Sequence, residues 1–297
     1  MEETPIEKLQ RILREKATDP RAPMQVAERR ELMEKMSFKV KDDITVETVQ
    51  AAGLEAEWLR APGAQKDRAI LYFHGGGYVI GSPNTHRALG GEISRTSQAS
   101  VLMPDYRLAP EAPFPAAVED GVSGYRWLLD QGFTPAQIAI GGDSAGGGLV
   151  VATLVSARDQ GLAMPRAAVC ISPWSDMTCS NESYRTRDAA DPMVKHAGIT
   201  QMAALYLNGA DPKDPLASPN FADLTGLPPV LIHVGSDETL HDDAIALDRK
   251  AKADGVQSTL EVWDKMVHVW HAFHPILPEG KEGIERVGEF LCQQWAA

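Results

Sequence analysis

Five short apolar runs without alternation restrict this chain most: "AILYF" at 69–73, "SVLMP" at 100–104, "QIAIGG" at 137–142, "AAVCIS" at 167–172 and "PVLIHVG" at 229–235. A strand with one wet face alternates polar and apolar residues. An unbroken apolar run is therefore expected to be covered on both faces, as in a parallel sheet. Helix-like stretches lie between most of these runs, at Thr85–Ser97, Pro115–Asp130, Ala145–Asp159 and Leu240–Ala253. Such alternation predicts a doubly wound, mostly parallel α/β sheet. A last strand, "STLEVW", and a final helix near Lys281–Trp295 close it.

Upstream the pattern differs. "ITVETV" and "LEAEWL" alternate around a Gln-Ala-Ala-Gly turn, which predicts an antiparallel hairpin. Before them, "TPIE" offers Thr4 as N-cap, Pro5 at the first helical position and Glu7 three residues after the cap. Ile6, Leu9 and Leu13 follow at helical spacing, and a second helix is expected over Pro23–Met36, with Met24, Ala27, Met33 and Met36 near one face. Between Ser172 and Pro229 lie over fifty residues, far more than a crossover needs. Inside this interval "DPMVKHAGITQMAALYLNGA" (191–210) reads as helix, and Asp242 and Asp243 further on read as a solvated helix face. The expected division is N-terminal cap helices at 1–45, a first part of the α/β sheet domain at 46–175, a cap insertion at 176–215 and a second part of the α/β domain at 216–297.

Composition removes several classes. No apolar run approaches the ~18 residues of a membrane span, and a net charge of −12 opposes a nucleic-acid surface. "MEETPIEKLQ" lacks the basic and apolar regions of a signal peptide. Cys170, Cys179 and Cys292 have no metal-like spacing, and read as reduced thiols of a cytoplasmic protein.

Chemistry concentrates in Gly142-Asp143-Ser144-Ala145-Gly146, a match to G-x-S-x-G between a strand and a helix. Such a turn exposes a strained serine at the strand end; a capped helix start or a phosphate loop would use similar residues. A serine needs a base, and that base needs an orienting acid. His268 follows the last strand, where a loop could reach Ser144. A metal site formed by His268, His271 and His274 has helical spacing but no neighbouring Cys or Glu to complete it. His233, inside an apolar strand, reads as a core histidine. "HVGSDETLHDDA" places Asp237 and Glu238 in a strand-to-helix loop, and either could be the acid. His74 and the three glycines of "YFHGGGYVIG" can bring bare N–H groups against a substrate oxygen. No Gly-Lys-Ser/Thr follows them, so a phosphate cradle is disfavoured.

"HGGGYVIGS", "PDYRLAPEAPFPAA", "GDSAGG" and "HVWHAF", in this order, resemble the bacterial hormone-sensitive lipase family of α/β-hydrolase esterases. The resemblance runs from about Ala51 to the C-terminus. It implies an eight-stranded sheet with one antiparallel strand and a helical cap. It also implies hydrolysis of short to medium acyl esters, with Ser144 as nucleophile, His268 as base and the N–H groups of Gly76, Gly77 and Ala145 as oxyanion hole. The family acid is commonly the first Asp of Asp-Pro-Leu-x-Asp. Aligning Leu240 and Asp242 with that string favours Glu238 over Asp237, and leaves Asp237 to cap the helix near Leu240. No metal or organic cofactor is implied, the partner is a small-molecule ester, and a homodimer is compatible. A lactonase or amidase could use the same triad, whereas related hormone receptors lack the histidine that His268 supplies. Met24, Met33, Met36, Met193, Met202 and Leu205 are candidates for an acyl pocket, although a methionine stripe also suits simple packing.

Overall fold

The five apolar runs form the centre of an eight-stranded sheet in the computed structural model, which describes residues 3–16, 19, 22 and 25–297. Two helices come first, α1 (Pro5–Lys16) and α2 (Val26–Met36), then the hairpin β1 (Thr45–Ala51) and β2 (Leu54–Arg60). The first half of the sheet continues through β3 (Gln65–Phe73), α3 (Pro83–Ser97), β4 (Ala99–Pro104), α4 (Ala116–Asp130), β5 (Ile138–Asp143) and α5 (Ala145–Asp159). After β6 (Ala167–Ile171) the chain leaves the sheet for α6 (Ser183–Thr186) and α7 (His196–Leu207). It returns with β7 (Val230–Gly235), α8 (His241–Ala253), β8 (Ser258–Trp263) and α9 (Pro278–Ala296).

The strand order is β1-β2-β4-β3-β5-β6-β7-β8. Only β2 runs against its neighbours, so the sheet implied by the family resemblance is the one present. The hairpin turns through Ala52 and Gly53, both at positive φ, with Ala51 opposite Leu54.

Burial on both faces follows the two-residue period of a strand. In β3, Ile70 and Tyr72 pack with Leu89 and Ile93 of α3 and Ile284 and Val287 of α9. Leu71 and Phe73 point the other way, into a core that includes Tyr125 of α4 and Leu149 of α5. The helix α1 docks separately, burying Ile6 and Leu9 against Met266, Val267, Trp270 and Leu277. Its start carries the expected reciprocal cap: Thr4 N–H donates to Glu7 Oε2 (2.8 Å), and Glu7 N–H to Thr4 Oγ1 (3.4 Å).

Several expectations change. Ser82 caps α3, exchanging hydrogen bonds with Thr85, so that helix starts at Pro83 instead of Thr85. The helix expected over 191–210 is confined to α7. Asp191 Oδ1 instead accepts the N–H groups of Met193 and Val194, a local turn that competes with helix. The second helix begins at Val26 and buries no side chain; Pro23 and Met24 lie outside the described residues. Asp243 is not solvated: fully buried, it accepts hydrogen bonds from Ser175 N, Asp176 N, Asn181 Nδ2 and Tyr184 Oη. Burial pushes its carboxyl up to about 8. The three cysteines are free, and burial raises the thiols of Cys170 and Cys179 to about 12. No helix of the described residues is long and apolar enough to cross a membrane.

One glycine fixes how closely α5 approaches the sheet. A Cβ at Gly146 would collide with the carbonyl oxygens of Phe73 and His74, which are backbone atoms without freedom to move aside. Gly146→Ala is therefore expected to cost about 3 kcal/mol or more in urea unfolding, at the upper end of overpacking losses.

Candidate active site

The loops that follow β5, β7 and β8 meet at one end of the sheet, where the C-terminal ends of parallel strands gather. The first supplies Ser144, whose backbone has φ 55° and ψ −121°, a conformation costing about 1–3 kcal/mol for a non-glycine residue. Surrounding bonds hold it there. Ser144 N–H donates to Ile171 O (2.8 Å), while Ser144 O accepts from Trp174 N (2.9 Å) and Gly148 N (3.2 Å). The hydroxyl is thereby raised off the strand and turned toward the loop after β8.

His268 waits in that loop. Its Nε2 lies 2.9 Å from Ser144 Oγ, and its Nδ1 lies 2.9 Å from Glu238 Oε2. The adjacent carboxylate goes elsewhere: Asp237 Oδ2 accepts from Gln10 Nε2 of α1 at 3.3 Å. Asp237 does not cap α8 either, since that helix starts from Leu240 without a side-chain cap. The three clustered histidines diverge. His271 Nε2 faces His233 Nδ1 at 2.9 Å, with His233 Nε2 in turn 3.2 Å from Glu261, and His274 Nδ1 contacts His271 O. His233 is thus a buried, partnered core histidine.

Burial disfavours the His268 imidazolium. The hydrogen bond and charge of Glu238, with the charges of Asp191 and Asp143, outweigh that penalty, and the His268 pKa is raised. Burial raises the Glu238 carboxyl, against the opposing pull of His268, Ser172 and Gly235.

Three supporting residues carried no signal in the sequence. Ser172, at the end of β6, donates its hydroxyl to Glu238 Oε1 (2.7 Å) and accepts Val269 N–H (3.1 Å), so one buried side chain ties the acid to the residue after His268. Asp191 Oδ2 accepts Thr239 N–H at 2.8 Å while its other oxygen holds Met193 and Val194, joining the segment before α7 to the loop carrying Glu238. His86 Nε2 meets Gly75 N–H at 3.3 Å and lies 3.4 Å from Asp143, whose other oxygen takes the Tyr72 hydroxyl at 2.9 Å. Despite burial, His86 and Tyr72 hold the Asp143 carboxyl below its ordinary range.

The glycine loop after β3 turns beneath Ser144. Gly76 and Gly77 have φ +123° and +62°, which side chains rarely adopt, and a Cβ at either would strike Ile80 O or Met202 Sδ. No acceptor among the described residues takes the N–H groups of Gly76, Gly77 or Ala145. His74, the residue before the loop, is buried and stacked 4.3 Å from Tyr106. Above them lies a cavity of about 360 Å³ whose walls include Met33, Met36, Met193 and Met202. Leu205 is not on that wall; it packs into the main core.

A strained serine on a strand-to-helix turn, paired with a histidine and a buried carboxylate at the end of a mostly parallel sheet, defines the class of α/β-hydrolases. Comparison with known proteins agrees. A family model for the α/β-hydrolase fold matches residues 70–272. The chain is 52% identical to an acetyl-hydrolase of Streptomyces hygroscopicus over 80% of its length and 79% of the relative's. It superposes on the crystal structure of EstE5 soaked with p-nitrophenyl butyrate with a TM-score of 0.97, at 67% identity over 99% of each chain. The crystal structure of an esterase from the bacterial hormone-sensitive lipase family gives a TM-score of 0.95 at 52% identity, covering 99% of this chain and 100% of that one. The protein belongs to the α/β-hydrolase family and, within it, to the bacterial hormone-sensitive lipase group of esterases.

The Ser172 clamp generates a prediction that does not depend on activity. Ser172→Ala leaves Val269 N–H without its acceptor and removes one donor from Glu238, both buried. Stability should fall by about 1–3 kcal/mol in urea unfolding.

Proposed function

We propose that this serine carboxylesterase hydrolyses short to medium acyl esters through an acyl-enzyme, with Ser144 as nucleophile, His268 as base, and Glu238 as the acid. The observation that carries the reading is the unbroken chain from Ser144 Oγ through both ring nitrogens of His268 to Glu238, each step 2.9 Å. Ser144 attacks the ester carbonyl as its proton passes to His268 Nε2. The resulting imidazolium keeps its Nδ1–H on Glu238, and the oxyanion is taken by the N–H groups of Gly76, Gly77 and Ala145. His268 returns the proton to the leaving alcohol. Water then repeats the sequence on the acyl-enzyme and releases the acid. No metal or organic cofactor enters these steps.

In this reading the N-terminal helices (1–45) and the insertion (176–215) form a cap on the catalytic parts (46–175 and 216–297). Support comes from the cavity wall, to which α2 contributes Met33 and Met36 and the insertion contributes Met193 and Met202. Four unbranched thioether side chains suit acyl chains of differing shape, because Met adapts where branched residues do not.

Ser144→Ala should abolish turnover of p-nitrophenyl butyrate, a loss of roughly 10⁴- to 10⁶-fold, with thermal unfolding unchanged or raised. Retention of more than about a hundredth of wild-type turnover would sink the assignment. Comparing two neighbouring carboxylates tests the acid. Glu238→Gln should lower kcat by roughly 10²-fold or more, toward the ~10⁴ lost when a triad Asp becomes Asn, whereas Asp237→Asn should change it by less than about tenfold.

The pH profile supplies a further check. Catalysis needs neutral His268, so kcat/KM falls on acidification through its raised pKa, above the ordinary histidine value. Removing the Glu238 charge destabilises the imidazolium, so in Glu238→Gln the acidic limb should move to lower pH. A limb that stays in place would detach Glu238 from His268. Finally, deleting residues 1–36 should uncover Trp270 and Leu277, lower solubility and flatten the preference among acyl lengths. An unchanged acyl-length profile in the truncated protein would remove these helices from the cap.

A further inference from the structure

The cavity above Ser144 has a feature that an acyl pocket for neutral esters does not require. Besides its methionines and leucines, its lining includes Lys16 at the end of α1, Arg29 on α2 and Lys195 just before α7. Among the described residues of the lining Asp143 is the single carboxylate, and it is engaged by Tyr72 and His86. In a chain with 41 acidic and 29 basic residues, three cations around one opening run against the overall balance.

Their partners sharpen the contrast. Most other cations of the two N-terminal helices are neutralised or engaged: Arg11 by Glu3 and Glu15, Arg30 by Glu111, Lys35 by Glu31, and Arg14 by the carbonyl of Ala190; the exposed Lys8 lies outside the cavity lining. Among the described residues the side chains of Lys16 and Arg29 have no hydrogen-bond or ion-pair partner. Lys195 bonds only to the carbonyl oxygens of Asp188 and Asp191, which anchor the ammonium without cancelling its charge. Nearby carboxylates are committed elsewhere: Glu31 to Lys35, and Glu34 to Ser82 and Asn84. Glu28 of α2 is not part of the lining.

We infer that this site favours esters carrying a second, anionic group, of which half-esters of dicarboxylic acids are the simplest: the ester carbonyl sits at Ser144, the methylenes run along Met33, Met193 and Met202, and the distal carboxylate lies against Lys16, Arg29 and Lys195. The inference rests on the esterase reading of Ser144 and adds the substrate's charge to it. Hydrolysis consumes one water and yields the dicarboxylate, the alcohol and one proton. Low-dielectric walls focus a cationic field on incoming anions, so the preference should appear in kcat/KM and be screened by salt.

The test compares monoethyl adipate with ethyl hexanoate, and monoethyl suberate with ethyl octanoate, in a pH-stat at about 20 mM and about 500 mM NaCl, which span Debye lengths well above and well below ~10 Å. The readout is the ratio of kcat/KM for the half-ester to that for the neutral ester of equal length. At low salt the ratio should exceed one, and at high salt it should fall by about threefold to tenfold. The double variant Lys16→Gln/Arg29→Gln should lower the low-salt ratio by a similar factor, with thermal unfolding recorded to confirm that it is folded. Hydrolysis of the neutral esters with a ratio at or below one, or a ratio that neither salt nor the double variant moves, overturns the inference and leaves the esterase reading standing. Hydrolysis of none of the four esters overturns both.

Discussion

The close approach of α5 to β3 governs the rest of the molecule. Gly142 and Gly146 have no room for a Cβ because the carbonyl oxygen of Phe73 lies against both. That contact lets β5 pass into α5 within one residue, and the one residue is Ser144. The positive φ of Ser144 is thus imposed by packing: Ile171 O, Trp174 N and Gly148 N fix its backbone from three directions. Strain of this kind persists only where the surroundings over-determine it. The same neighbourhood brings Gly75, the first glycine of the loop after β3, against Asp143 and Ser144.

Electrostatics adds a second constraint. Buried carboxylates are costly unless several donors meet them, and among the described residues near the working end Asp143, Asp191, Glu238 and Asp243 are buried almost completely. Each is met by several donors. Asp191 takes three backbone N–H groups, Asp143 a phenol and a histidine, and Glu238 a hydroxyl, an N–H and His268. Asp243 ties the segment around Ser175 to α8. These carboxylates act as joints between loops from different parts of the chain.

Much of this was legible in the sequence. Non-alternating runs identified the five central strands because burial on both faces leaves no polar positions to interrupt them. G-x-S-x-G was legible because steric exclusion writes itself as glycine. What escaped were groups whose role depends on contacts distant along the chain. Ser172 is an ordinary serine at a strand end, and nothing local announces that Glu238 and Val269 both converge on its hydroxyl. Asp243 looked solvated because α8 is amphipathic in pattern, yet its partners come from a segment some sixty residues earlier. The helix expected from Asp191 failed for a local reason, the Asp-Pro turn, which a count of apolar periodicity does not weigh. In α2 the methionines were visible, but their face borders an open cavity instead of a core.

The seat of α1 has a consequence in time. Ile6 and Leu9 are among the earliest residues of the sequence, and their partners are Met266, Val267, Trp270 and Leu277, about 260 residues later. At the ~5–20 residues per second of ribosomal synthesis, the helix spends some tens of seconds with no place to dock. Docking of this helix is therefore a late event, completed only after β8 has emerged. An apolar face of two buried side chains, Ile6 and Leu9, with Leu13 partly buried beside them, keeps the chain's exposure during that wait small.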